Sequence, residues 1–254
     1  MKQELSKKTR TESDLIGSRE VPESALYGVQ TLRGIENFRI SKFHLNEYPL
    51  FIQALAITKM GAAIANRELD LLTKEQTDAI LKACKEILEG KYHDQFPVDM
   101  IQGGAGTTTN MNANEVIANR ALELMGHQRG EYQYCSPNDH VNRSQSTNDA
   151  YPTAIHIGLY YTHLKLVKHF ETLIQSFRKK GEEFANIIKM GRTQLEDAVP
   201  MTLGQTFNGF ASILEHEPRF CRTGFSDGQH GGNSHRNRNY RRTGICGEMY
   251  CCSG

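Results

Sequence analysis

The chain has almost no net charge: 30 Lys and Arg against 29 Asp and Glu leave +1 at pH 7. That balance supplies no basic field for nucleic acid or for an anionic membrane surface. No apolar run reaches the roughly 20 residues that a membrane-spanning helix requires. The opening stretch Met1–Lys8 is charged and lacks the apolar centre of a signal peptide, so a cytoplasmic protein is expected. The Cys-x-x-Cys spacing is missing. Cys84 and Cys135 are isolated, while Cys221, Cys246, Cys251 and Cys252 fall near the end, two of them adjacent, which suits neither a zinc site nor an easy disulfide. His230 and His235 stand in sequence without helical periodicity and make no metal site. The glycine-rich stretch Gln102–Asn110 contains no Gly-Lys-Ser/Thr and follows no strand pattern, which excludes a P-loop and a dinucleotide fingerprint.

What is present is helical. From Pro49 an apolar stripe runs through Phe51, Ile52, Leu55, Ala56, Met60 and Ala63. Thr73 is placed to cap a helix Lys74–Leu88 whose Ile80, Ala83, Cys84, Ile87 and Leu88 repeat at three-and-four spacing, with Gly90 ending it. A further helix is expected from about Thr109 to Met125. A rod of about 40 residues is expected over Asp149–Ile188, capped by Asn148 or Asp149 with Pro152 in its first turn, and such a rod belongs in a bundle or a subunit interface. Another helix starts near Leu203. Before these, residues 1–13 read as a frayed leader and Asp14–Gly17 as a possible strand. Val21-Pro22 reads as a break, and Tyr27–Phe38 as a helical turn. The class is all-α, with at most a small strand pair near the N-terminus.

Three polar loops could carry chemistry: Gln102–Asn110, Ser144–Asn148 and Met190–Asp197. Each joins glycine or small residues to neutral hydroxyl and amide donors. Those feeding a helix add free backbone N–H groups and the positive end of its dipole, which favour a carboxylate. Neutral donors can also tighten on an oxyanion as it forms. Taken singly, such a loop is more often a capped turn than a site. Arg192 serves as a carboxylate clamp or as half of a structural ion pair, and His140 and His156 read as structural.

At Arg19–Pro22, Tyr27–Arg33, Asp94–Asp99, Gln102–Asn114, Gly130–Tyr134, Pro137–Asn142, Ser144–Asp149 and Gly191–Pro200 the chain resembles the aspartase/fumarase superfamily, without evident gaps from about residue 12 to Glu217. It is nearer the ammonia-lyases than the hydratases. The hydratases have Trp-Gly-Ala-Gln-Thr-Gln where Tyr27–Leu32 stands, Gly-Ser-Gly-Thr where Gly104–Thr107 stands, and a histidine in place of Gln194. The resemblance implies reversible conversion of L-aspartate to fumarate and ammonia, with fumarate hydration as the alternative within the fold. A non-catalytic helical oligomerisation protein is the alternative from another class. It implies that Thr107, Ser146, Thr147, Asn148, Thr193 and Gln194 hold the carboxylates of a small dicarboxylate. It implies no cofactor; divalent metal activates some relatives, but no ligand set is visible here. It also implies a homotetramer built round a bundle of long helices, with no nucleic-acid or membrane partner.

The family's serine base lies on a Gly-Ser-Ser-Ile-Met-Pro loop that this sequence does not contain, so no catalytic residue is expected in the chain. The expected layout is therefore a lyase N-terminal domain over 14–148, the start of the bundle over 149–217 and an aberrant tail over 218–254. From Pro218 onward Leu, Val, Ala and Lys vanish, while six Arg and seven Gly appear. Read one base later, Gly228–Tyr240 back-translates to a plausible continuation of the family, which points to out-of-frame translation. Sequencing the DNA around codon 218 should reveal a single-base insertion or deletion; an intact frame there contradicts the reading.

Overall fold

The computed structural model describes residues 8–227, with side chains to residue 216; tail residues 228–254, including Cys246, Cys251, Cys252, His230 and His235, lie outside the described residues. It divides into two compact units that meet at Leu159/Tyr160.

The first unit opens with an antiparallel hairpin, β1 (Thr9–Asp14) and β2 (Gly17–Pro22), registered Thr9 to Pro22 and Asp14 to Gly17. The leader thus turns into a strand at Thr9, earlier than the expected strand at Asp14–Gly17. Val21-Pro22 closes β2 instead of breaking structure, because a proline at the end of a strand forfeits no interior ladder bond. Helices α1 (Val29–Asn37), α2 (Pro49–Glu68), α3 (Lys74–Leu88) and α4 (Thr107–Leu124) follow. Pro49 sits at the first turn of α2, where its missing N–H costs nothing. Thr73 and Gln76 form a reciprocal capping box at α3, as the sequence requires. Ile52, Leu55, Ile80, Ile87, Phe96, Val98, Ile117 and Leu122, all at most 1 % exposed, form the core where α2, α3 and α4 pack.

α4 is the central rod, buried along Thr109–Asn119 although much of that face is polar. Its polar side chains satisfy loop backbone that would otherwise be buried without partners. Glu115 accepts from the N–H groups of Gly28 (2.8 Å), Gln30 (2.9 Å) and Thr31 (3.0 Å), and so caps α1, which has no cap of its own. Burial raises the Glu115 pKa against the pull of those donors. Asn112 donates to the Gln95 carbonyl (3.0 Å), and Asn119 to the Leu26 carbonyl (2.8 Å).

A second clasp holds the segment leading into the glycine loop. Asp99 accepts from the N–H groups of Ile40 (2.9 Å), Ser41 (2.7 Å) and Ile101 (2.7 Å) and from the Ser41 hydroxyl (2.7 Å). Desolvation alone would raise its pKa; the Ile101, Ser41 and Ile40 hydrogen bonds outweigh it and hold the carboxyl at about 2, below its usual 3.8.

The first unit ends in the opening turns of α5, which runs over Thr147–Glu183. The second unit, from Tyr160, holds the remainder of α5, an antiparallel hairpin of β3 (Ile188–Thr193) and β4 (Glu196–Thr202), and α6 (Leu203–Asp227). Phe177, Phe184, Phe207 and Phe210 cluster there with ring centroids 5.6–6.3 Å apart. The expected rod to Ile188 stops at Glu183, and Met190–Asp197, expected as a polar loop, falls within the second hairpin. α6 continues through Pro218 to Asp227, into the segment expected as an aberrant tail; proline removes a single rung of the helical ladder, which a long helix can absorb by kinking.

Asp99→Asn is expected to reshape the acid limb of unfolding. A carboxyl held at about 2 when folded and near 3.8 when unfolded contributes stability above pH 3.8 that is lost as pH falls toward 2. The unsubstituted protein should therefore lose stability through that window in circular-dichroism melts, and the variant should be less stable at neutral pH with a flatter slope between the same limits.

Candidate active site

The sequence makes the N-termini of two helices meet. Gln102 folds the glycine loop onto the first turn of α4: its amide nitrogen donates to Thr109 Oγ1 (2.7 Å), and its carbonyl accepts the Thr109 N–H (2.8 Å). Gly104 (φ +72°) and Gly106 (φ +84°) take left-handed backbone, and a Cβ on Gly106 would run into the Tyr151 ring. The ring of Tyr151 in turn packs edge-on against Phe51, 5.7 Å between centroids. Tyr151 thus presses the start of α5 onto the start of α4. Between them opens a cavity of about 530 Å³ lined by Gln102, Gly104, Gly106, Asn148 and Tyr151, among others.

Four of the six expected site residues stand here. Thr107 is the first residue of α4 and is exposed. Thr147 is the first residue of α5, earlier than the expected Asn148 or Asp149 cap, because Ser146 supplies the cap: its hydroxyl accepts the Asn148 N–H (3.2 Å) and its carbonyl accepts from Asp149 and Ala150 (both 3.0 Å). Pro152 consequently lies inside the helix rather than in its first turn. Thr147 Oγ1 accepts from Asn110 Nδ2 of α4 at 3.1 Å, a direct tie between the two helix starts. Asn148 is exposed at the cavity wall.

The other two, Thr193 and Gln194, belong to the second unit. They lie at the tip of its hairpin, where Gln194 (φ +44°) and Leu195 (φ +66°) make a tight turn, and both are exposed. Two consecutive left-handed residues match the right-handed twist of a two-residue hairpin. Arg192 pairs with Asp197 at 3.0 Å on the surface, the ion-pair reading of this residue. His140 Nδ1 accepts the Ser136 N–H (2.7 Å), a structural bond, and burial lowers its pKa. Among the described residues no group of three or more His, Cys, Asp or Glu could hold a metal ion.

The sequence reading missed the group beneath the site. Lys59 of α2, 0 % exposed, donates to Asn110 Oδ1 (2.8 Å), Asn142 Oδ1 (2.9 Å) and Gln145 Oε1 (3.0 Å). All three acceptors are neutral amides. Burial lowers its pKa from 10.5 to about 7, opposed in part by the electrostatic influence of Cys84, whose own thiol burial pushes up to about 12. The one sequence signal was a lysine lodged beside Met60 in an otherwise apolar stripe, which reads by default as a surface residue that snorkels. Two helix N-termini thus lie near a buried lysine with neutral hydroxyls and amides around it, an arrangement whose dipoles favour an anion.

A family model described as "Lyase" matches residues 17–223, and the chain belongs to that family. Particular relatives are aspartate ammonia-lyases. The chain is 59 % identical over 208 residues to the enzyme of Pseudomonas canavaninivorans, covering 82 % of this chain and 44 % of that protein. It is 56 % identical over 214 residues to the enzyme of Escherichia coli K12, covering 84 % and 45 %. Among solved structures, the fumarate lyase:delta crystallin of Brucella melitensis superposes with a TM-score of 0.83 at 49 % identity, covering 86 % of this chain and 51 % of that one. The class II fumarase of Schistosoma mansoni gives 0.78 at 36 % identity, covering 86 % and 46 %. The chain therefore spans less than half the length of the curated relatives it matches.

Gly106→Ala is expected to cost about 1–3 kcal/mol, the scale of forced left-handed backbone, and to loosen the Tyr151 contact. Denaturant unfolding measures the loss, and Gly90→Ala, a left-handed glycine facing open space, serves as the control that carries the backbone strain alone.

Proposed function

We propose that this chain is the N-terminal portion of an enzyme that converts L-aspartate reversibly to fumarate and ammonia, working as a cytoplasmic homotetramer. The observation that carries the reading is the Asn110–Thr147 tie, which sets the hydroxyls of Thr147 and Ser146 beside the first turn of α4. The identity to aspartate ammonia-lyases supports the choice of substrate.

In the proposed reaction a base takes a proton from Cβ, the electron pair moves onto the neighbouring carboxylate, and the Cα–N bond then breaks as the C=C bond forms. The difficult species is the doubly negative aci-carboxylate. Thr107, Ser146, Thr147 and Asn148 surround it with preorganised donors at the positive ends of α4 and α5. Thr193 and Gln194 contribute from the exposed hairpin tip to the substrate's carboxylates once subunits assemble. The base comes from the family's serine loop, which is not among these 254 residues. Assembly is supported by the second unit, where Leu164, Leu166, Leu173 and Ile213 are each at least 41 % exposed, an apolar surface that a bundle would cover.

A polypeptide of these 254 residues alone is expected to form no fumarate from aspartate, as followed by ultraviolet absorbance; turnover would show that the base lies within it. In the protein extended in frame through the serine loop, Thr147→Ala should lower kcat/KM for aspartate by about 10²–10³-fold, the usual worth of an oxyanion donor. Malate turnover exceeding aspartate turnover would move the assignment to a hydratase.

A further inference from the structure

Lys59 takes no part in the reaction just described, yet among the described residues of the first unit it is the most thoroughly buried cation, and a buried charge without a carboxylate partner is costly to keep. We propose that Lys59 is a positioning residue: its ammonium clamps Asn110, Asn142 and Gln145 together and so fixes the Thr147 hydroxyl, through Asn110, at the substrate carboxylate.

The geometry has the form of a relay. Lys59 Nζ fixes Asn110 by its Oδ1, which leaves Asn110 Nδ2 to donate both to Thr147 Oγ1 (3.1 Å) and to Asn142 Oδ1 (3.1 Å). Asn142 Oδ1 is shared between Lys59 and Asn110, and Asn142 Nδ2 donates on to the Gln145 carbonyl (3.2 Å). Gln145 Nε2 closes the loop on the Val141 carbonyl (2.8 Å). Three amide oxygens converge on one nitrogen, and only an ammonium has three protons to give them. A neutral replacement would leave amide oxygens facing one another or unpaired in a dry interior, and the segment before α5 would have to move. Because the amides carry no charge, the ammonium is not neutralised. Burial holds its pKa at about 7, so the charged form is only part of the population at neutral pH, and an anion bound at the two helix ends would favour it.

The proposal rests on the diacid reading for its purpose but not for its test. Lys59→Met keeps the stem and removes the charge; Lys59→Ala opens a space for added ethylammonium. Hydrogen–deuterium exchange of the 254-residue protein, read by mass spectrometry, should show residues 106–111 and 142–149 exchanging at least about tenfold faster in Lys59→Met. Peptides of α3 should stay as protected as in the unsubstituted protein, and ethylammonium should restore Lys59→Ala. Asn142→Ala, which removes one acceptor of three, should give the same pattern at smaller amplitude and decides the matter if Lys59→Met does not fold. Unchanged exchange in both segments, or acceleration spread evenly over α2–α4 without rescue, overturns the proposal and leaves Lys59 as packing. Succinate binding is measured alongside by calorimetry. Its failure in the extended, unsubstituted protein counts against the diacid reading alone, whereas the exchange pattern judges Lys59.

Discussion

The constraint on which the site depends is the juxtaposition of two positive helix ends over a buried cation. α4 starts at Thr107 and α5 at Thr147, and Asn110 joins the two starts by a single hydrogen bond. Beneath them the Lys59 ammonium finds only amide oxygens. Helix ends of like polarity repel, and an unneutralised charge resists burial. The two helix ends and the lysine therefore add positive potential at one place, which an anion would relieve. A carboxylate placed there gains most where its charge grows, which is the requirement for stabilising an aci-carboxylate rather than its parent acid.

Such a site needs a rigid support, and α4 supplies it in an uncommon way. The helix is buried along most of its length while carrying Asn110, Asn112, Asn114, Glu115 and Asn119, four of which hold neighbouring segments. It works as a spine to which loops are pinned: Glu115 fixes the start of α1, Asn119 the backbone at Leu26, Asn110 the start of α5. The Asp99 clasp does the same for the chain that enters the glycine loop. Glu115, Asn119, Asn110 and Asp99 are each hydrogen-bonded to the segment they hold, and these bonds define one arrangement of the interior, although Asn112 Oδ1 and Asn114 Oδ1 lie buried without a partner.

Much of this was legible in the sequence. The apolar stripes of α2 and α3, the Thr73 cap and the polar segments before α4 and α5 all act locally, and local signals survive without tertiary context. Where the reading erred, the determinant lay elsewhere in the chain. The β3–β4 hairpin is largely exposed, with Gly191 its one buried residue, so it never shows the alternation that marks a half-buried strand. α4 and α5 begin earlier than expected because Gly106 turns left-handed against Tyr151 and Ser146 caps with its own hydroxyl, contacts that periodicity does not encode. Lys59 was hidden for the same reason: its three partners come from residues 110, 142 and 145, distant in sequence from α2. The family resemblance grouped Thr107, Ser146, Thr147, Asn148, Thr193 and Gln194; the two helix starts and the Asn110 bond bring the first four together in the first unit, while the last two lie in the second.

The most direct measurement is a crystal structure of the protein, extended through its downstream half, grown with succinate as an unreactive diacid. One carboxylate should lie between the first turn of α4 and the start of α5, within hydrogen-bond reach of Thr107 and of Ser146, Thr147 or Asn148, above an undisturbed Lys59 relay. A diacid bound elsewhere with this cavity holding solvent alone would contradict the account.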